Sequence, residues 1–231
     1  AVHPDVMAAA VVAHGADVGI ALDGDADRLI VADETGRIIN GDQLLACLAG
    51  TMHDEGSLSG GGVVGTVMTN GGIETCLADK GLKLHRARVG DRYVLEMMRA
   101  GGMNLGSESS GHILMTSLCP SGDGLIAALQ MLHILSRATK PASETFHMFA
   151  PKCQGLENLR DMDGAILERQ MIRDALARIE TDMGNAGRML VRPSGTEPLV
   201  RVMVEADTEE LLQSKMDEVI LLLQDESNKT A

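Results

Sequence analysis

Three aspartates stand at alternate positions in a short loop that follows an apolar run of the sequence. The loop reads Asp-Gly-Asp-Ala-Asp-Arg over residues 23–28, so its carboxylates belong to Asp23, Asp25 and Asp27. The small residues between them let the backbone curl without side-chain clashes, and carboxylate oxygens are the ligands that hard divalent cations prefer. The spacing predicts a Mg²⁺ site in this segment, here termed the acidic loop.

Three alternatives to a magnesium site fit parts of the same pattern. An EF-hand is excluded, because Arg28 stands at the sixth loop position, where glycine belongs, and strand-like runs replace the flanking helices. An aspartyl phosphatase would use an aspartate at the end of a hydrophobic strand as nucleophile and the aspartate two residues on as acid. Residues 18–22 followed by Asp23 and Asp25 are compatible with that site. A solvated acidic turn would leave three like charges without neutralisation.

A second loop gathers a carboxylate, hydroxyl groups and an imidazole within residues 106–112, Gly-Ser-Glu-Ser-Ser-Gly-His. Its glycines permit a tight turn between an apolar run and a strand. In this serine loop, Glu108 can accept hydrogen bonds from sugar hydroxyls and Ser110 can donate to them. No nucleophile elbow surrounds Ser110, so its hydroxyl is assigned to binding. The alternative is a polar turn with Glu108 as a cap and His112 as a structural histidine.

A third loop combines guanidinium, hydroxyl and amide donors between two prolines. It reads Arg-Pro-Ser-Gly-Thr-Glu-Pro over residues 192–198, and Arg201 follows three residues beyond. An arginine supplies charge and bidentate geometry for a phosphate, while hydroxyls and free backbone amides bind the remaining oxygens. This arginine loop predicts a phosphate site, with an ordinary Pro-Gly hairpin as the alternative. The donors are Arg192, Ser194, Gly195, Thr196 and Arg201.

Hydrophobic periodicity predicts the elements that position these loops. A helix over residues 5–13 precedes strands over 18–22 and 29–32, and strand–helix pairs then alternate as far as residue 135. This alternation predicts an α/β fold of layered, mostly parallel sheets with flanking helices. We expect three units, over residues 1–39, 40–146 and 147–231.

The last of these units has a different rhythm, which predicts a small α+β domain. An extended segment near residues 154–160 is followed by a helix over 166–179, two strand-like runs and a final helix that begins after Thr208. That final helix carries one apolar stripe at helical spacing, made of Leu212, Met216, Val219 and Leu223.

Composition narrows the class of protein further. The 231 residues are 45% hydrophobic, and 33 acidic against 20 basic side chains give a formal charge of −13, which disfavours binding to nucleic acid or anionic membrane. Neither a signal peptide nor a run of about 20 apolar residues occurs. The four cysteines form no CxxC pair, so we expect them to be reduced in a cytoplasmic protein.

In their order along the chain, the three loops resemble those of the α-D-phosphohexomutase superfamily. Val89-Gly90-Asp91-Arg92-Tyr93-Val94 and Ser121-Gly122-Asp123-Gly124 are also similar to that family's turns into helices. Members have four domains around a cleft, and this chain resembles the end of the second, the third and the fourth. The resemblance implies a phosphohexomutase-like fold whose partners include N-terminal domains of the same protein.

The resemblance implies interconversion of glucosamine 6-phosphate and glucosamine 1-phosphate through a bisphosphorylated sugar, feeding UDP-N-acetylglucosamine synthesis. Phosphomannomutase or phosphoglucomutase activity is the alternative, because the serine loops of those enzymes differ by only a residue or two. By resemblance, Arg28 lies near the transferring phosphoryl group, and His112 is a proton-transfer or orienting group. The implied Mg²⁺ ligands are Asp23, Asp25 and Asp27. The implied sugar-binding residues are Gly90, Asp91, Glu108 and Ser110. The implied ligands of the non-reacting phosphate are Arg192, Ser194, Gly195, Thr196 and Arg201.

One part of the family pattern does not occur in the sequence. The family's phosphorylated serine lies in a Ser-His-Asn-Pro loop, and no such tetrapeptide is found among the 231 residues. The resemblance therefore implies a C-terminal fragment of a mutase that is inactive alone. A binding module that holds a sugar phosphate and a metal without turnover is the remaining alternative.

Overall fold

The computed structural model describes residues 4–194 and 197–228. The chain divides into two compact units, Ala1–Pro151 and Lys152–Ala231. The division falls later than the predicted boundary after Phe146, because Phe149 is buried in the core of the first unit. No division separates the first 39 residues, since Val31 and Ile39 pack in the same core as Leu44. The division into two compact units lies after Pro151, and the three predicted domains stay a prediction.

The first unit opens with a helix and a small antiparallel sheet. Its elements are α1 (Pro4–His14), β1 (Val18–Leu22), β2 (Leu29–Asp33) and β3 (Ile38–Ile39). The strands lie in the order β1-β2-β3, and every pairing is antiparallel. The acidic loop is thus the connection of a β-hairpin in which Leu22 is paired with Leu29.

A buried carboxylate closes the turn between β2 and β3. Asp33 is fully buried, and its Oδ1 accepts hydrogen bonds from the Thr35 amide at 3.0 Å and the Arg37 amide at 3.0 Å. Its Oδ2 accepts from Arg37 Nε at 3.0 Å. Burial alone would raise the pKa of Asp33, but these hydrogen bonds outweigh burial and hold the pKa below its ordinary value. The ionised side chain fixes this turn.

The rest of the first unit is a four-stranded sheet with flanking helices. Its elements are α2 (Gly41–Asp54), β4 (Gly62–Thr66), α3 (Gly72–Ala78), β5 (Lys83–Ala87), α4 (Asp91–Gly101), β6 (Leu105–Ser107), β7 (Ile113–Met115), α5 (Gly124–Arg137) and α6 (Ala142–Thr145). The strand order is β5-β4-β6-β7, with β4 parallel to β5 and β6, and β7 antiparallel to β6. The carboxyl ends of β4, β5 and β6 therefore lie at one edge, where ligands of α/β sheets commonly bind.

The second unit is a three-stranded sheet with two long helices. Its elements are β8 (Cys153–Arg160), α7 (Gln170–Met183), β9 (Gly187–Pro193), β10 (Leu199–Ala206) and α8 (Glu209–Asn228). The strands lie in the order β8-β10-β9, with both pairings antiparallel. The Thr208 hydroxyl accepts a hydrogen bond from the Leu211 amide at 3.2 Å, so Thr208 caps α8 as predicted. The four predicted stripe residues of α8 are all buried.

The helix predicted over residues 166–179 begins later than expected. Gly164–Glu168 form a 3₁₀ turn, and α7 begins at Gln170. Asp163 accepts a hydrogen bond from the Ala165 amide at 2.9 Å and starts the tighter turn, while Arg169 has an extended backbone that separates it from the helix.

The predicted α/β class is confirmed. Parallel pairing is limited to β4, β5 and β6, while the other pairings described are antiparallel. Across residues 4–194 and 197–228, none of the helices combines the length and the apolar character that crossing a bilayer requires.

Candidate functional site

The acidic loop folds into a turn that gathers its three carboxylates. Oxygen atoms of Asp23, Asp25 and Asp27 all lie within 4.8 Å of one another. The Ala26 amide donates to the Asp23 carbonyl at 3.1 Å, and the Arg28 amide donates to Asp23 Oδ1 at 3.1 Å. Ala26 has a φ of 58°, the left-handed conformation that permits so tight a turn. The hairpin therefore converts an alternating sequence into a cluster.

The charges of this cluster are only partly neutralised by the protein. Arg28 Nε lies 3.5 Å from Asp23 Oδ2 and 3.9 Å from Asp27 Oδ1. Burial would raise the pKa of Asp23, but the Arg28 amide, a side-chain hydrogen bond with Asp27 and the charge of Arg28 together outweigh burial and hold the pKa below its ordinary value. Asp27 Oδ1 is buried and has no hydrogen-bond partner. A buried carboxylate oxygen that accepts no hydrogen bond, in a cluster of three carboxylates, fits a hard divalent cation.

The serine loop is joined to the acidic loop by backbone and side-chain contacts. The Leu29 amide donates to the Gly111 carbonyl at 3.0 Å, and Arg28 forms an isolated β-bridge with His112. His112 Nδ1 lies 3.2 Å from Asp27 Oδ2. Two motifs that are distant in sequence therefore form one site in the first unit.

The turn before α5 also contacts the acidic loop. The Gly124 amide donates to the Ala26 carbonyl at 2.9 Å. Asp123 caps α5 by accepting from the Ile126 amide at 2.9 Å. A Cβ on Gly122 would lie 2.3 Å from His112 Nε2, so the backbone of this turn packs directly against the imidazole. The Ser-Gly-Asp-Gly motif thus fixes both the acidic loop and His112.

The serine loop also reaches the turn that leads into α4. Glu108 Oε1 accepts a hydrogen bond from the Gly90 amide at 2.9 Å. Gly90 has a φ of 126°, which favours glycine, and Asp91 begins the helix with an exposed side chain. Ser110 is exposed, whereas Glu108 is half-buried. Four of the predicted sugar-binding residues therefore lie around one edge of the sheet.

Asp42 is a contact of the serine loop that the sequence patterns did not indicate. It is buried in the first turn of α2 and accepts a hydrogen bond from Ser109 Oγ at 2.9 Å. The signal that could have found it is an acidic residue directly before an apolar run in α2, because a carboxylate that is buried with such a run needs hydrogen-bond donors nearby. Because Ser109 faces Asp42, only one of the two predicted hydroxyls, that of Ser110, is exposed.

A substitution at Gly111 tests how closely the serine loop must approach the hairpin that carries the acidic loop. It has a φ of 90°, and a Cβ added to it would lie 2.1 Å from the Leu29 carbonyl oxygen. Replacing Gly111 by alanine is expected to destabilise the first unit by about 2–4 kcal/mol, because the backbone is strained and the serine loop is forced away from Leu29 of β2. Urea unfolding followed by circular dichroism measures the loss.

Gly24 provides the matched control for that substitution. It lies in the acidic loop without a positive φ, and a Cβ added there meets no atom within 4 Å. Gly24→Ala is expected to change the free energy of unfolding by less than about 0.5 kcal/mol. Equal effects of the two alanines would contradict the proposed close contact between the loops.

The arginine loop belongs to the second unit, where two arginines lie side by side on adjacent strands. Arg192 on β9 is the register partner of Arg201 on β10. Burial lowers the pKa of Arg192, and the charge of Arg201 lowers it further. Arg201 Nε is buried without a hydrogen-bond partner. Among the described residues, no carboxylate forms an ion pair with either guanidinium, so the pair has the character of an anion site.

The remaining members of the arginine loop are only partly described. The Ser194 amide donates to the Leu199 carbonyl at 2.9 Å, which closes the loop at the ends of β9 and β10. Gly195 and Thr196, which were predicted to complete the phosphate site, lie outside the described residues.

Two family models match consecutive parts of the chain. One, described as phosphoglucomutase/phosphomannomutase, alpha/beta/alpha domain III, matches residues 40–152. The other, described as phosphoglucomutase/phosphomannomutase, C-terminal domain, matches residues 156–222. Together they cover most of the chain, including the serine and arginine loops.

Curated relatives extend the similarity to the acidic loop. The chain is 48% identical over 218 residues to a phosphoglucosamine mutase of Chelativorans sp. (strain BNC1), with 94% of the chain and 48% of the relative covered. It is 50% identical over 219 residues to that of Roseobacter denitrificans, with 94% and 49% covered. The chain thus spans about half the length of the curated relatives it matches.

Solved structures share the fold at lower identity. A phosphoglucomutase/phosphomannomutase family protein from Burkholderia thailandensis superposes with a TM-score of 0.80 at 24% identity, covering 96% of this chain and 50% of that one. Aspergillus fumigatus N-acetylphosphoglucosamine mutase, in complex with GlcNAc-6P and magnesium, gives a TM-score of 0.75 at 20% identity, with 90% and 48% covered.

Proposed function

This chain belongs to the phosphoglucomutase/phosphomannomutase family, and on that basis we propose that it supplies the metal, sugar and phosphate sites of a phosphoglucosamine mutase. The proposed reaction interconverts glucosamine 6-phosphate and glucosamine 1-phosphate through a bisphosphorylated sugar. Support for this sugar comes from the relatives of that name, which are 48–50% identical to the chain. A cytoplasmic location stays a prediction.

The observation that carries this proposal is the contact between the acidic and serine loops. Oxygen atoms of the three carboxylates of the acidic loop lie within 4.8 Å of one another. Contacts of His112 and Gly111 join this segment to the serine loop, which contains Glu108. Phosphoryl transfer depends mainly on charge neutralisation and positioning. A Mg²⁺ ion held by Asp23, Asp25 and Asp27 would neutralise charge on the transferring phosphoryl group.

The protein's own residues have separate roles in the proposed reaction. The Arg28 side chain is 47% exposed beside the triad, so its guanidinium can contact a phosphoryl oxygen as well as Asp23. Glu108 and Ser110 hold sugar hydroxyls, next to Gly90 and Asp91. Arg192, Arg201 and Ser194, together with Gly195 and Thr196, bind the phosphate that does not react.

His112 is assigned an orienting role in this proposal. Its Nδ1 lies 3.2 Å from Asp27 Oδ2, and the imidazole side chain is 7% exposed. A histidine in that position fixes the direction of a metal-ligating carboxylate. The contact supports orientation of Asp27, the second of the two predicted roles, more strongly than proton transfer to the sugar.

The aspartyl phosphatase alternative is less compatible with the contacts of Asp23. Its Oδ1 accepts from the Arg28 amide at 3.1 Å, and its Oδ2 lies 3.5 Å from Arg28 Nε. A nucleophilic carboxylate needs an oxygen free for attack. Trapping with a fluoride mimic of phosphate distinguishes the two functions, because a phosphatase would form its complex on Asp23.

Calorimetry on the whole 231-residue chain tests the binding part of the proposal. In the presence of Mg²⁺, glucosamine 6-phosphate is expected to bind more tightly than glucose 6-phosphate or mannose 6-phosphate, and unphosphorylated glucosamine is expected to give no heat. Equal affinity for the three sugar phosphates would favour a phosphomannomutase or phosphoglucomutase. The absence of heat at millimolar sugar phosphate would contradict the binding proposal.

A turnover assay tests the proposed need for a phosphoserine from outside this sequence. No Ser-His-Asn-Pro tetrapeptide occurs in the 231 residues, and we therefore propose that N-terminal domains of the same protein provide the phosphoryl donor. With glucosamine 1,6-bisphosphate present, the chain is expected to show no sustained isomerisation of glucosamine 6-phosphate. Sustained isomerisation would show that the outside serine is unnecessary.

A further inference from the structure

A buried carboxylate of α2 connects the serine loop to the turn that follows β4. Asp42 is 2% exposed and lies in the first turn of α2. Its Oδ1 accepts from Ser109 Oγ at 2.9 Å, and its Oδ2 accepts from the Asn70 amide at 2.9 Å. One side chain therefore holds both the serine loop and the turn that follows β4.

The backbone of α2 also touches the serine loop directly. A Cβ on Gly41 would lie 2.8 Å from the carbonyl oxygens of Glu108 and Ser109 and 2.8 Å from the Gly111 amide nitrogen. No larger residue can occupy position 41 without moving the loop. The first turn of α2 is thus the surface on which the serine loop rests.

Helix α2 is a rigid support for this contact. Eleven of its residues are buried, including Leu44, Leu45 and Leu48, which are among the most deeply buried side chains. The helix is capped by Asn40, whose side chain accepts from the Gln43 amide at 3.0 Å. Asp42 lies in the first turn of this helix, where the backbone amides favour an acidic side chain.

We propose that Asp42 is a positioning residue for the sugar-binding loop, acting through Ser109. The inference rests on the proposed function, in which Glu108 and Ser110 hold the sugar. By accepting a hydrogen bond from the Ser109 hydroxyl, Asp42 directs the Ser109 side chain toward α2. Ser110 then stays at the surface, and Glu108 stays beside the Gly90 amide. Burying a carboxylate costs solvation free energy unless its oxygens accept hydrogen bonds. Both oxygens of Asp42 accept one.

Hydrogen exchange measured by mass spectrometry tests the positioning without any ligand. Peptides that cover residues 108–112 contain the Glu108 and Gly111 amides, which donate within the loop at 3.0 Å each. Asp42→Ala and Ser109→Ala are each expected to speed exchange of these amides at least about tenfold. Asp42→Asn keeps an acceptor for Asn70 and can donate to Ser109, so it is expected to restore most of the protection.

Asp33→Ala is the matched control. Asp33 is also a fully buried, hydrogen-bonded carboxylate of the first unit, but its partners Thr35 and Arg37 lie in the turn after β2. Its loss is expected to leave exchange of the serine loop unchanged. If Asp33→Ala accelerates that exchange as much as Asp42→Ala does, the effect is general destabilisation and the inference is wrong.

Ligand titration then connects the loop to the sugar. Affinity for glucosamine 6-phosphate is expected to fall at least about tenfold in Asp42→Ala and Ser109→Ala, while affinity for Mg²⁺ alone changes less than about threefold. Wild-type exchange rates in both variants would overturn the inference. Should Asp42→Ala fail to fold, Ser109→Ala, which removes only the bond to the loop, decides the question. Failure of the unaltered chain to bind the sugar phosphate would instead contradict the proposed function, and the exchange data would still report on positioning.

Discussion

Asp25→Asn is expected to weaken Mg²⁺ binding on the order of 100-fold. Asp25 is exposed and makes no ion pair with Arg28, whose guanidinium lies 3.5 Å from Asp23 and 3.9 Å from Asp27. The substitution therefore removes one ligand charge and leaves the hydrogen bonds that shape the loop in place. Without metal, the variant is expected to be slightly more stable than the unaltered chain, because one like charge is removed from the cluster.

Thermal unfolding with and without Mg²⁺ measures both effects. Because a ligand that binds only the folded state raises the unfolding temperature, the unaltered chain is expected to gain stability with added Mg²⁺ and Asp25→Asn to gain almost none. Asp17→Asn is the control, since it removes an exposed negative charge just before β1 but outside the cluster. A similar loss in Asp17→Asn would show that the general negative field, and not the triad, attracts the cation.

The second large effect is expected for the paired arginines of the second unit. Arg201→Met is predicted to reduce affinity for glucosamine 6-phosphate and for inorganic phosphate by on the order of 100-fold, because one of two guanidinium groups is lost from the anion site. The same substitution is expected to raise stability in the absence of phosphate. Arg192 and Arg201 are register partners, and no carboxylate in the described part of the chain compensates this pair of like charges.

The opposite signs of these two effects make the experiment decisive. Unfolding temperature is measured for the unaltered chain, Arg201→Met and Arg192→Met, each with and without phosphate. The control is Arg160→Met, which removes an exposed arginine of β8 in the same sheet. If Arg201→Met loses stability without phosphate and binds phosphate normally, the pair is a structural feature of the sheet and not an anion site.

Local sequence signals were sufficient for most of the elements. The strand predicted over 18–22 is β1, because an apolar run bounded by turn residues leaves little choice of period. Thr208 and the stripe of α8 were predicted by the same local rules. The start of α7 was not, because the extended backbone of Arg169 separates the 3₁₀ turn at residues 164–168 from the helix.

What the sequence could not supply is long-range contact. Nothing near Asp42 in the chain indicates that its carboxylate meets Ser109, because that contact depends on how α2 packs beneath the sheet. The prolines and mixed polarity around Phe146 predict a boundary there. The division into two compact units falls after Pro151, because Phe149 packs in the core of the first unit. The chemistry of each loop was predictable from residue types. The backbone bridge between Leu29 and Gly111 was not.

The hydrogen bond between Leu29 and Gly111 has a consequence for when the proposed cation site forms during synthesis of the protein. The acidic loop and the strand after it are supported by the Gly111 carbonyl, the His112 imidazole and the Gly124 amide, all of which are translated long after the aspartates. A nascent chain arrested before residue 124 has left the ribosome would carry the aspartates and their hairpin turn but not all of these later supporting contacts. If the proposed metal site depends on these contacts, acquisition of metal affinity is expected to be a late event that reports closure of the first unit.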